Sequence, residues 1–497
     1  MASHAALHPA RACWDILINM KVLVAGATGY IASLLIPRLL DSGHHVRAMA
    51  RHPHRLKGRS WFRHVEHISA DVMAPSTLAL ALDGVDTAYY LIHNMASGHG
   101  YTERELDGAR NFASAAETAG VKHIIYLGGL ADPEQDIAPH MRSRIETGAV
   151  LRQGSVPVTE FRAGVIAGSG SISFEMIRFM TELFPIIPGP AWMNNRSQPI
   201  AAQNVVDYLM AALDNWNGHG QVFEIGGPEI LQYKDLMMRY AHLRGLKRSM
   251  LLLPYIPLWF MSFGVGLTTP VPRLIAYALI GGLSGDSIVK YSEALNVFPE
   301  VKLISFNEAV LAALDHLSPQ KIERVWDDGQ RSLKSLKHEG YFIDHREVIV
   351  NASAAEAFQV ITDIGRSNNW PYANWLWRLR GWINKMISPQ RTSKDSLAPS
   401  SLGDFVVNPD DDFMDYYRVE SITPDQHLLL HSQLKAPGEG WLEWRIDQTD
   451  KLTRLTQTVF FAPRGLPGFL YWYLLYPVHA IVFRGLIRAI ARNVLER

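Results

Sequence analysis

The sequence is short of cysteine, of net charge and of recognisable metal-binding spacings. A single cysteine, Cys13, stands in 497 residues. No disulfide can form within the chain and no cysteine-based zinc site can be built, so a reducing, cytoplasmic setting is expected. Lys+Arg and Asp+Glu are equal at 48 each, which leaves no basic excess to attract nucleic acid. None of the 20 histidines falls into an HExxH or comparable arrangement, so no metal site is expected. There are no repeats and no low-complexity tracts. Residues 1–19 hold no apolar run of signal-peptide type; they read as a loose N-terminal extension, or Met20 as the natural start.

Hydrophobic residues make up 48% and charged residues 19%, enough for large cores; at roughly 100–200 residues per domain the chain holds two to four domains. Two stretches, Ser249–Pro272 and Gly465–Phe483, carry no formal charge and are long enough to raise the question of a membrane. Pro254, Pro257, Pro270 and Pro272 interrupt the first and Pro467 and Pro477 the second, at a hydrogen-bonding cost that lipid does not repay. The expectation is buried helices lining a pocket, with peripheral membrane contact as the alternative.

The first half alternates apolar runs with helical periodicity: KVLVAG then YIASLLIPRLLDSG, HVRAMA, VEHISA then PSTLALAL, DTAYYLI then ERELDGARNFASAAETAG, VKHIIYLGG then MRSRIETGAVLRQ, and VPVTEFRAG. Repeated strand–helix units with continuously apolar strands predict a doubly wound parallel α/β sheet. From about residue 171 to 332 the pattern is irregular and more apolar, as for a substrate-side subdomain. A basic, helix-like stretch at Gln330–His338 marks a boundary. Beyond it, in residues 340–497, come one strand, one helix, several short strands with turns between them, and a long apolar helix from about Phe469 to Arg492. That order predicts an antiparallel sheet gripping the last helix.

GATGYIA places Gly26, Gly29 and Ala32 in a GxxGxxA spacing directly after a strand and at the start of a helix. Gly26 allows the tight turn, Gly29 lets backbone approach a pyrophosphate, and the amides of Thr28, Tyr30 and Ile31 open the helix toward the phosphates. An acid about 20 residues further on would bind the ribose of NAD. Here the region holds Arg47, Arg51, His52 and Arg55 and no acid. Guanidinium groups pair with a 2′-phosphate, so NADP(H) is favoured over NAD(H). Asp71 and Val72, after the third strand, are placed at the adenine edge; Leu91, Ile92 and His93, after the fourth, beside the ribose.

VLVAGATGYIA, AYYLIHNM, VKHIIYLGGL, FRAGVIAGSGSISFEMIRF and FEIGGPEILQYKDLM make residues 20–330 resemble the atypical short-chain dehydrogenases, close to NmrA-like proteins and the 39-kDa subunit of respiratory complex I. The resemblance implies a Rossmann fold that binds NAD(P) and leaves the reaction open. Family members that transfer hydride use a serine and a Tyr-x-x-x-Lys pair. Here the fifth strand ends in Gly128-Gly129, and the expected helix carries His140 and Arg144 at i, i+4, on one face. His140 is the candidate acid/base near neutral pH and Arg144 the candidate ribose or phosphate holder. Tyr89 and Tyr90 read as sheet packing, Arg162 as a substrate contact or a structural ion pair, and Asp410–Asp412 as a solvated turn.

REVIVNASAAEAFQVITDI, WLEWRI, TQTVFF and the closing FLYWYLLYPVHAIVFRGLIRAIAR make residues 340–497 similar to the START/polyketide-cyclase helix-grip superfamily, which implies an α+β domain able to hold an apolar ligand. Trp370, Trp375, Trp377, Trp382, Trp441, Trp444 and Trp472 supply large apolar faces for such a pocket. Together these features suggest an NAD(P)H-dependent oxidoreductase of an apolar small molecule. The alternatives are a non-catalytic redox sensor or structural protein and a membrane-peripheral lipid-handling protein.

Overall fold

A computed structural model of the chain describes residues 20–315, 336–387 and 413–496, except for 94–100 and single or paired positions within those ranges. The predicted extension 1–19, the Asp410–Asp412 turn and a strand pattern at 403–408 lie outside the described residues. The chain divides into two compact units, the first made of residues 1–181 and 185–330 and the second of residues 331–497 with the short segment Glu182–Phe184.

The first unit is organised by β1 (Lys21–Ala25), α1 (Tyr30–Asp41), β2 (His45–Ala50), β3 (Glu66–Ser69), α2 (Pro75–Leu82), β4 (Thr87–Tyr90), α3 (Tyr101–Thr118), β5 (His123–Gly129), α4 (Pro139–Leu151) and β6 (Val158–Ala163). Beyond them come β7 (Ile166–Ala167), α5 (Ile172–Leu183), β8 (Ile186–Pro190), β9 (Arg196–Ser197), β10 (Ile200–Ala201), α6 (Ala202–Asp214), β11 (Val222–Ile225), β12 (Leu231–Gln232), α7 (Tyr233–Leu243), β13 (Ser249–Leu253), α8 (Leu258–Thr268), α9 (Arg273–Gly281), α10 (Glu293–Val297) and α11 (Phe306–Asp315). The principal sheet has the order β11-β6-β5-β4-β1-β2-β3, and every pair in it is parallel. Because β2 and β4 flank β1 on opposite sides, the strand order reverses there, and a crevice opens beyond the carboxyl ends of β1 and β4, where such sheets bind ligands.

Both faces of the sheet are covered. Val22, Val24 and Ala48 pack with Leu35, Ile36 and Leu39 of α1 on one side, and Leu23, Ala25 and Ala88 with Leu78, Phe112 and Ala116 on the other. That double coverage is why the strands read as unbroken apolar runs. Tyr89 and Tyr90 belong to these cores: the Tyr89 hydroxyl donates to the Leu209 carbonyl at 2.8 Å, and Tyr90 packs edge-on against Phe112.

Two expectations for the apolar stretches change. Ser249–Pro272, expected to be buried and helical, holds the strand β13 and the helix α8, and Tyr255, Trp259, Phe260 and Phe263 are exposed. α14 (Gly465–Leu495), numbered in the second unit below, runs unbroken through Pro477. It is long and apolar enough to cross a membrane by length and composition, yet its inner face is packed in a protein core.

The second unit contains β14 (Leu336–His338), β15 (Tyr341–Val350), α12 (Ala354–Ser367), α13 (Asn374–Ile387), β16 (Phe413–Met414), β17 (Tyr417–Thr423), β18 (His427–Ser432), β19 (Gly438–Thr449), β20 (Leu452–Pro463) and α14. Its antiparallel sheet has the order β14-β15-β20-β19-β18-β17-β16. Leu428, Leu430, Leu442, Trp444, Ile446 and Leu455 form a core with Val482, Phe483, Leu486 and Ile490 of α14. Phe342 meets Phe469 and Trp472 at ring separations of 5.4 and 5.3 Å. Residues 336–338, expected to be helical, form an edge strand, and α13 was not anticipated. Its Trp377 stacks on Trp370 at 4.1 Å. Trp375 and Trp382, expected in a pocket, face solvent.

Candidate functional site

The glycine turn follows β1. Gly26 has φ +88°, and a Cβ there would lie 2.7 Å from the Leu91 carbonyl oxygen and 3.3 Å from Ile92 Cγ1. Only glycine fits, because the obstacle is backbone and the dihedral is left-handed. The amides of Gly26 and Ala27 donate to the Met49 carbonyl at 3.2 and 3.1 Å, and the Gly29 amide closes the turn onto the Gly26 carbonyl at 2.9 Å. Gly29 is extended, with φ −76° and ψ 161°, and caps α1, which begins at Tyr30. The first-turn amides of such a helix have no partners within it and, with the helix dipole, form a cradle for a phosphate. Thr28 lies in this turn and Tyr30 and Ile31 open the helix; Leu91 and Ile92, expected beside the ribose, wall the turn with backbone and side chain.

Three cofactor assignments are corrected or sharpened. Arg47 is buried in mid-β2: its guanidinium donates to the carbonyls of Leu80, Ala81 and Asp83 at 3.1, 2.8 and 2.9 Å and pairs with Glu66 at 2.9 Å. It caps the end of α2, where carbonyls lack helical partners, and is withdrawn from the cofactor. Val72 is packed against α3, 2.8 Å from where a Cβ on Gly108 would lie, so its side chain is core; its carbonyl accepts from Asn111. Asp71 shapes its own loop, accepting from the Met73 amide at 3.0 Å. Arg51 remains exposed at the carboxyl end of β2.

Sequence reading missed Arg59. It is buried, and its guanidinium reaches the Thr28 carbonyl at 3.5 Å, which puts a cation against the glycine turn. Only the neighbouring buried Trp61 hints in sequence that this arginine, among several in the loop, turns inward.

On the other side of the crevice, α4 carries His140 and Arg144. At Gly129, at the end of β5, a Cβ would lie 2.8 Å from Met141 Cε and 3.0 Å from Arg144 Cδ, so a serine there would require these flexible side chains to shift. The Tyr126 hydroxyl donates to the Arg144 carbonyl at 2.9 Å, and Ser143 donates to the buried carboxylate of Glu105. Both bonds fix the helix. Gly282, just past α9, abuts the His140 ring, and a Cβ there would come within 2.5 Å of Cε1.

Burial pushes the His140 pKa down to about 4, and the Arg144 cation adds to the shift. His93, at the end of β4, is pushed well below the ordinary histidine range by burial first and Arg144 second. Arg144 thus lies near two neutral imidazoles. His140, expected as an acid/base near neutral pH, is held neutral there by burial and Arg144, able to accept a proton or to donate a hydrogen bond through its N–H. Arg162 is in an ion pair, 2.6 Å from Glu160 on its own strand, and Arg152 joins the same carboxylate.

Residues 26–152 match the family described as NAD(P)H-binding; residues 337–486 match a protein family of unknown function. Among relatives, a (4-alkanoyl-5-oxo-2,5-dihydrofuran-3-yl)methyl phosphate reductase of Streptomyces griseus is 28% identical over 228 residues, 45% of this chain and 74% of that protein. A 3 beta-hydroxysteroid dehydrogenase/Delta 5-->4-isomerase of Mycobacterium tuberculosis is 29% identical over 116 residues, 21% of this chain and 30% of its own length. The photosystem II assembly factor Ycf39 of Synechocystis is 25% identical over 39% of this chain and 57% of that protein. A solved triphenylmethane reductase of Citrobacter in complex with NADP(H) has a TM-score of 0.48 at 20% identity, covering 59% of this chain and 99% of that one. The first unit has a Rossmann fold, and its residues 26–152 are similar to NAD(P)H-binding proteins.

Proposed function

We propose that the chain is a reductase that uses NADP(H) in preference to NAD(H) and acts on an apolar small molecule. The observation that carries this reading is the contact between Gly282 and His140. It joins the candidate catalytic helix to the α8–α9 hairpin, which presents Trp259, Phe260, Phe263, Leu274 and Tyr277 to solvent. An apolar surface beside a few convergent polar groups suits an apolar substrate. The relative from Streptomyces griseus, itself named a reductase, is consistent with it.

The Gly26–Ala32 turn fits the pyrophosphate, because its backbone leaves no space for a side chain. Arg51 and Arg59 fit a 2′-phosphate, and no acid competes there. The nicotinamide ring, when bound, supplies hydride. Arg144 orients the ribose and places positive charge near the reacting carbonyl or conjugated oxygen, and the His140 N–H donates a hydrogen bond to that oxygen. Since His140 is neutral at pH 7, the final proton comes from water. The test is NADPH oxidation across quinones, isoprenoids and steroids, repeated with His140→Ala and Arg144→Ala. Loss of turnover with cofactor binding retained supports the enzyme. If the wild type oxidises NADPH with none of them while still binding it, the reductase reading fails.

The second reading, a non-catalytic sensor of nucleotide redox state, is favoured by one observation: glycine stands at the serine position, with the side chains of Met141 and Arg144 beside it. It expects tight nucleotide binding that distinguishes oxidised from reduced cofactor, without turnover.

A further inference from the structure

In the second unit, α13 and α14 each bury one face and leave the opposite one bare. On α13 the bare residues are Trp375, Leu379, Trp382 and Met386, at spacings of four, three and four, so they form one stripe. On α14 they are Leu470, Tyr473, Leu474, Val478 and Ile481, again one stripe. The opposite faces are anchored: Trp377 packs edge-on with Phe483 at 6.1 Å, and Arg380 lies 5.6 Å over the Tyr471 ring. The two helices therefore touch through these side chains, and each leaves its apolar stripe exposed.

Charge on these helices has one sign. α13 contains Arg378, Arg380 and Lys385, α14 contains Arg484, Arg488 and Arg492, and neither contains an aspartate or glutamate. In a chain with equal numbers of acids and bases this is a local excess of six. Arg484, Arg488 and Arg492 are exposed and continue the bare face of α14 at spacings of three, four and four after Ile481. Apolar and aromatic residues followed by arginines on the same helix face are what a helix lying in the headgroup region of an anionic bilayer presents.

We infer that this face of the second unit docks on the surface of an anionic lipid membrane, with the two helices lying in the interface. Spanning does not fit, because Val482, Phe483, Leu486, Ile487 and Ile490 hold α14 in the domain core. Nucleic acid fits less well, because five of the nine bare residues are leucine, isoleucine or valine, which gain from hydrocarbon and not from base stacking. The inference does not depend on the reductase reading, which concerns the first unit.

The test is co-flotation of the full-length protein with vesicles of phosphatidylcholine alone and of phosphatidylcholine with 30 mol% phosphatidylglycerol. The same is done for Trp382→Ala/Leu474→Ser, whose substitutions are at exposed positions. The expected result is binding to the anionic vesicles, weaker in 0.5 M salt and reduced at least tenfold in the double variant, with melting temperature and NADPH binding unchanged. Failure to bind anionic vesicles overturns the inference. So does equal binding by the double variant. So does a lipid-independent dimer that the double variant abolishes, which would assign the face to a second copy of the chain.

Discussion

Acid should weaken the first unit through His140, and the size of the effect follows from its surroundings. The imidazole is nearly fully buried, and burial and then Arg144 lower its pKa from 6.5 to about 4. A group whose folded pKa is depressed in this way is neutral in the fold and protonated in the unfolded chain between the two values. The unfolded state then binds more protons, so stability rises with pH across the window from about 4 to 6.5 and is lost as pH falls through it. At pH 5 the unfolded imidazole is mostly charged while the folded one is about nine-tenths neutral. The ratio of the two binding polynomials gives a loss of about 2 kcal/mol relative to pH 7.5. His140→Gln keeps a polar side chain of similar size and removes the titration. The assay is thermal unfolding at pH 7.5 and pH 5, following the transition that NADPH raises. The wild type should lose more on acidification than His140→Gln, by about 2 kcal/mol or roughly 4 °C. Both proteins share the acid loss from His123, whose pKa is lowered to about 3 by burial and His219, so the difference isolates His140. Equal acid sensitivity in the two proteins would refute a neutral, buried His140.

Gly26→Ala should lower NAD(P)H affinity at least tenfold and the melting temperature with it, since a left-handed φ costs about 1–2 kcal/mol before the clash with the Leu91 carbonyl; isothermal titration and thermal unfolding check both. Arg51→Ala should raise the Kd for NADPH about tenfold and leave that for NADH unchanged, as lost contact with a 2′-phosphate requires. Glu160→Gln should destabilise the first unit by about 3 kcal/mol, because it leaves Arg152 and Arg162 without the buried carboxylate both share; urea unfolding measures it. If His140 supplies no proton, kcat should be nearly flat from pH 5.5 to 8, which steady-state rates test.

The parallel sheet and the glycine turn were legible in the sequence because their causes are local: alternating strand and helix periods, and a backbone that only Gly26 can adopt. The antiparallel second unit was legible in its order of elements. Less visible was which cation serves which purpose. Arg47 and Arg51 are four residues apart and look alike in sequence, yet β2 ends at Ala50: Arg47 is held within the strand against the carbonyls at the end of α2, and Arg51 lies exposed just past it. Arg59 is brought to Thr28 by an irregular loop, which no periodicity encodes. The protonation state of His140 is set by burial and Arg144, and the chain that lies against its ring at Gly282 is more than a hundred residues away. The helix α13 was hidden by its own tryptophans, which suggested a pocket lining when two of the three, Trp375 and Trp382, face outward.

The pairing of β15 with β20 has a consequence for how the protein is made. Phe342 lies opposite Phe461, so one ladder of the second sheet joins segments 119 positions apart, and α14, which completes its core, follows every strand of that sheet along the chain. The first unit's sheet closes with β11 long before translation ends, and at about 5–20 residues per second it has many seconds to form. The second unit can only condense once its final helix has left the ribosome, and closing so long a loop is slow. During that interval the strands from β15 to β19 have unpaired edges, and β15 awaits a partner not yet made. Loss of the last turns of α14 should therefore trap nascent chains in an aggregation-prone state while the nucleotide-binding unit is already folded.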